Sequence, residues 1–110
     1  MCGIAPASRF ARAPEGFKPT DIYSKCRSVV VFIKKMPGEI IVAENPIPYS
    51  HTGHLLYEAL DRIALSLCGY LEKHNVKSVL VPCDTPYLHW EEEIDRGQAI
   101  ISMRHAAWLA

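Results

Sequence analysis

Long apolar runs are missing from this chain, and so are the short motifs that most often announce a chemistry. No stretch approaches the roughly 20 consecutive apolar residues that span a bilayer, which argues against a transmembrane helix. The opening MCGIAPASRFAR has no basic segment followed by an apolar one, so it does not read as a secretory signal. There is no G-x-G-x-x-G, and no G-x-x-x-x-G-K followed by Ser or Thr, so neither dinucleotide nor P-loop phosphate binding is suggested. No G-x-S-x-G and no Cys–His signature points to acyl transfer. An excess of one charge is absent too. Twelve Lys and Arg balance twelve Asp and Glu, and only Lys34-Lys35 are adjacent among the basic residues. A binder held to nucleic acid or to an anionic membrane by bulk charge is thereby disfavoured. Internal repeats and low-complexity tracts are lacking. Cysteines are few: Cys2, Cys26, Cys68 and Cys83 stand far apart, with no C-x-x-C. Without a signal peptide they read as four reduced thiols in a cytoplasmic protein rather than two disulfides. Their spacing fits neither the bacterial ferredoxin run nor the common zinc patterns.

What is present fits one soluble α/β domain. A length of 110 residues suits a single hydrophobic core, and 49% hydrophobic with 22% charged residues is ordinary for a globular chain. Residues 1–27 show little periodicity and are punctuated by Pro6, Pro14, Gly16 and Pro19. The β-branched run SVVVFI (28–33) reads as a strand buried on both faces. Lys34-Lys35 ends it, Pro37-Gly38 makes a turn, and EIIVA (39–43) reads as a shorter strand. An irregular stretch with Pro46 and Pro48 follows. From about Thr52 to His74 the apolar residues Leu55, Leu56, Ala59, Leu60, Ile63, Ala64, Leu67, Cys68 and Leu71 recur at helical spacing. Ser50 or Thr52 can cap this helix, and Asn75 suits a left-handed position after its end. KSVLVP (77–82) reads as a second buried strand. A helix between two such strands is the pattern of a βαβ unit with a parallel pair. A last helix is expected from about Ser102.

Several residues could carry chemistry. Asp84 follows the expected strand 77–82, at the end where ligands bind in open α/β sheets. A carboxyl group in an apolar setting there can act as a general acid, whereas Asp-Thr-Pro is also a good Asx-turn. Arg104 and His105 fall in the first turn of the last helix, suited to an anionic group, or else are solvated surface residues. His51 and His54 stand three apart, a metal-ligand pair without an evident third ligand. Tyr49, Tyr87 and Trp90 can stack on a flat cofactor or cover a core edge. Glu91-Glu92-Glu93 reads as a solvated acidic surface.

In order, GIAPASRFARAP, DIYSKCRSVVVFIKKMP, the long helix, SVLVPCDTPYL and RHAAWLA together resemble the front part of the epoxyqueuosine reductase family. These are corrinoid-dependent iron–sulfur reductases. The resemblance spans nearly the whole chain and rests on the order of its segments. It implies a partial nitroreductase-like, cobalamin-binding α/β domain, with residues 1–110 forming a single, incomplete domain. By the same resemblance the last helix would run on into Gly-Leu-Gly, and the 4Fe-4S clusters would belong to a C-terminal region absent here. Asp84 would match the acid that protonates substrate, and Arg104, with His105 and Tyr87, would lie near the corrinoid. The implied activity is a reduction in the tRNA queuosine pathway or a related one, with tRNA a partner of the full-length protein. One departure stands out. Asp84 and Arg104 are twenty positions apart, farther than the matching pair in the family. Either LHWEEEIDRG is an insertion, or the chain belongs to a branch without that acid, with Asp95 a distant second candidate.

Two functional expectations result. The first is an N-terminal piece of a cobalamin-type reductase; the second is a non-catalytic binding or interaction domain of the same fold. A final helix cut short would leave Ile100, Met103 and Trp108 short of partner surface. The isolated chain is therefore expected to be marginally stable or homo-oligomeric.

Overall fold

A computed structural model describes residues 1–86, 89–91 and 96–110. It shows mixed α and β structure in two compact units, one built from Met1–Phe32 with Asp84–Ala110, the other from Ile33–Cys83.

The first unit is organised by a two-stranded antiparallel sheet, β1 (Cys2–Pro6) against β2 (Ser28–Phe32). The register pairs Gly3 with Val31, Ala5 with Val29 and Pro6 with Ser28. Just beyond β1, the Ala7 N–H donates to the Arg27 carbonyl at 2.8 Å. Counting in twos from that bond, Ala5–Val29 and Gly3–Val31 are the hydrogen-bonded pairs. Pro6 then falls where its missing N–H would have pointed away from β2, which is why a proline is tolerated in this strand. A 3-10 turn (Ala7–Phe10) follows and drives Phe10 into the core. Next comes α1 (Pro19–Ile22), one turn with Pro19 at its first position and the Asp21 carboxylate accepting from the Lys18 N–H at 2.9 Å.

Later in the same unit, β3 (His89–Glu91) and β4 (Arg96–Gln98) form a second antiparallel pair, and α4 (Met103–Leu109) closes the chain. Helix α4 packs against β1 and β2. It comes so close that a methyl group on Gly3 would stand 3.0 Å from the Ala110 Cβ. The Arg9 guanidinium donates to the Leu109 carbonyl, satisfying one of the acceptors that a helix end leaves open. Among the described residues, Ala5, Phe10, Ile101 and Ala106 are the buried hydrophobic ones, and all lie in this unit.

The second unit is dominated by α3 (Pro46–Lys73), preceded by the single turn α2 (Gly38–Ile41) that contacts it. Helix α3 starts six residues before the expected Thr52. Asn45 is its cap, with its side-chain oxygen accepting from the Ile47 N–H at 2.9 Å. Pro46 and Pro48 therefore stand in the first turn, where no N–H is needed for the helical ladder. The end follows expectation. Asn75 is left-handed at φ 61°. The Val76 N–H reaches the Leu71 carbonyl and the Asn75 N–H the Glu72 carbonyl, both at 2.9 Å, the bond pair of a Schellman motif.

Three expectations are corrected. Residues 77–82 form no strand, so the parallel pair and the βαβ unit are not formed; β2 pairs with β1 instead. An apolar run signals that a strand would be covered there but does not name its partner, and Pro82 removes one ladder donor. Residues 39–43 hold a helical turn with Ile41 and Val42 exposed, rather than a strand. Residues 2–6, read as irregular, are a strand. The fold is α/β in the coarse sense, and its sheets are antiparallel.

Candidate functional site

Asp84, Arg104 and His105 belong to the first unit; Tyr87 and Asp95 lie outside the described residues. Asp84 is half-buried at a bend, one residue after the second unit ends. Its position after residues 77–82 is no longer the mouth of a parallel sheet, so the general argument from strand ends does not apply to it. What remains is a carboxyl group partly withdrawn from water and followed by Thr85 and Pro86.

The start of α4 is better defined. Ser102 caps it, as its sequence position suggests, and its hydroxyl oxygen accepts from the His105 N–H at 3.4 Å. The same oxygen lies 2.8 Å from His105 Nδ1, so one hydroxyl holds both the backbone and the ring of His105. This ring contact was not legible in the sequence, although Ser and His at a cap and three residues later was its signal. Ser102 uses the His105 N–H, one of the donors at the helix start. Anion recognition would fall to the side chain of Arg104, which is exposed.

His51 and His54 do lie on one helix, because α3 begins early, and both are exposed. The His54 ring makes an edge-on contact with Tyr57 at 6.5 Å. Among the described residues no group of three or more His, Cys, Asp or Glu could hold a metal ion. Tyr49 is 51% exposed on the first turns of α3. The four cysteines form no disulfide, and Cys26 Sγ donates to the Ser28 carbonyl at 3.5 Å.

Asp61 escaped the sequence reading. It belongs to the polar side of α3 by spacing, yet it is half-buried and accepts the Cys83 N–H at 3.0 Å. In this way it pins the far end of segment 77–83 to the helix. No periodicity marks such a residue; only its closeness in space to Cys83 does. Among the described residues no helix is long and apolar enough to cross a membrane. No protein-family model, curated protein or solved structure matches this chain.

Proposed function

We propose that the chain is the N-terminal part of a corrinoid-binding domain in a cytoplasmic iron–sulfur reductase resembling epoxyqueuosine reductase. The observation that supports this reading is that Asp84 and the Ser102-capped helix with Arg104 and His105 share one compact unit. Such a unit would hold a proton donor and a cation within one folded body. The residues fit a corrinoid in two respects. Arg104 offers an exposed guanidinium fork suited to a phosphate or amide arm, and Asp84 places a half-buried carboxyl group in the same unit. The bound cofactor would supply the electron-rich metal centre. In this reading Arg104 orients the cofactor's polar arms, His105 is held in place by Ser102, and Asp84 donates the proton that completes reduction. Clusters, and a tRNA substrate, would come with the remainder of such a reductase.

The test is a titration of the purified chain with hydroxocobalamin, followed by visible absorption. Arg104→Ala should weaken binding by about 1.5–3 kcal/mol, the scale of hydrogen bonds to charged groups, while Asp84→Asn should bind as wild type does. A wild-type chain that leaves the spectrum unchanged, or an Arg104→Ala chain that binds equally well, would overturn the assignment.

A further inference from the structure

Helix α3 carries two rows of residues that recur every seven positions. Leu56, Ile63 and Tyr70 form a large row, and Thr52, Ala59 and Ser66 form a small one beside it. Rows spaced in this way share one helix face, the a and d seam of a heptad repeat. The face is open along its length: Tyr49, one heptad before Leu56, is 51% exposed, Ile63 47% and Tyr70 58%. Asp61, which accepts the Cys83 N–H, lies on the opposite side of the helix, so the Cys83 end of segment 77–83 is held away from this stripe.

The two rows fit each other when the helix is reversed. Turned end for end about position 61, a second α3 sets Ala59 against Ile63, Ser66 against Leu56 and Thr52 against Tyr70. Each large side chain meets a small one, in a two-fold arrangement where one residue contacts another and the contact is returned. Gly53 then falls opposite Leu67 on the flank. A Cβ added at Gly53 would meet nothing within 4 Å in the single chain, although glycine weakens a helix interior. A leucine from a partner would use that space. Arg62 approaches its own counterpart, and Glu58, one turn earlier on each helix, offsets the repulsion. A parallel pair would instead set Tyr70 against Tyr70 and Ser66 against Ser66, crowding one layer and hollowing the next.

We propose that α3 is a homodimerisation helix, pairing antiparallel with α3 of a second copy through this stripe. The inference rests on α3 alone and is independent of corrinoid binding.

Sedimentation of the intact chain across the micromolar range should show a monomer–dimer equilibrium. Ile63→Lys should raise the dissociation constant at least roughly tenfold, because it buries a lone charge against Ala59 of the second copy. Ala59→Glu should do the same. Leu65→Lys changes a residue that is exposed but outside the stripe, and should leave the constant as it is. Mixing the two weakened variants tests the register itself. In the reversed pairing the new lysine of one chain faces the new glutamate of the other, so the mixture should dimerise more tightly than either variant alone. Unfolding cannot mimic such a rescue, and a parallel pair would not give it. A native chain that stays monomeric, as it would if another part of the chain covered the stripe, overturns the proposal. A dimer indifferent to Ile63→Lys, a dimer weakened equally by Leu65→Lys, or a mixture no tighter than its components would overturn it as well.

Discussion

Ser102 and Asn75 each satisfy a helix end, by different physics. At Ser102 a side-chain oxygen replaces a missing backbone acceptor, so Ser102→Ala should cost about 0.5–2 kcal/mol. The loss would be read as a lower urea midpoint with an unchanged slope, and Ser102→Asp, which keeps an acceptor, should recover most of it. At Asn75 the backbone itself is unusual, with φ 61°. A side chain with a Cβ is strained there by about 1–2 kcal/mol, and Asn tolerates it better than most. Asn75→Ala should therefore destabilise, while Asn75→Gly should be neutral or stabilising; a Gly variant as weak as the Ala variant would contradict the left-handed assignment. Asp61 is the third residue of consequence. Removing its carboxylate in Asp61→Ala leaves the Cys83 N–H without its acceptor, and a loss of about 1–3 kcal/mol is expected.

Two glycines make the contrast between elements measurable. Gly69 lies inside α3, and an added Cβ there would meet nothing within 4 Å. Gly69→Ala should stabilise the chain by about 0.5–1 kcal/mol, through the restricted unfolded backbone. Gly3 lies in β1 beneath the end of α4, where an added Cβ would stand 3.0 Å from the Ala110 Cβ and 3.1 Å from its carbonyl carbon. Gly3→Ala should destabilise by about 1–3 kcal/mol, the range for overpacking. Chemical denaturation of both variants checks the signs together. Equal effects would mean that α4 does not press on the sheet.

For the whole molecule, the unequal distribution of burial decides stability. Among the described residues, the first unit holds the buried hydrophobic ones, while in the second α3 has no buried residue and exposes Leu65 at 67% and Ile63 at 47%. Phe10→Ala should cost about 3–5 kcal/mol, much of the roughly 5–15 kcal/mol that a domain has. Leu65→Ala should stay within about 0.5 kcal/mol, as surface changes do. With a core this small, the thermal midpoint of the native chain is expected below about 65 °C. A sharper, hotter transition in a sedimentation-verified monomer would refute that expectation.

The sequence by itself determined the parts whose bonds close within a few residues. The apolar recurrence from Leu55 to Leu71, the left-handed Asn75 and the cap at Ser102 were all legible, because a helix satisfies its own backbone and its ends have local signatures. Even the error at the start of α3 was local, since Pro46 and Pro48 forbid a strand and equally suit a first helical turn. Strand pairing was decided only in the tertiary structure. SVVVF announces a strand, but its ladder partner lies more than twenty residues away in CGIAP, not in the run 77–82. Hydrophobicity is non-directional: it says that Val29 and Val31 want cover, while the register and the helix that supplies the cover depend on which segments meet in space.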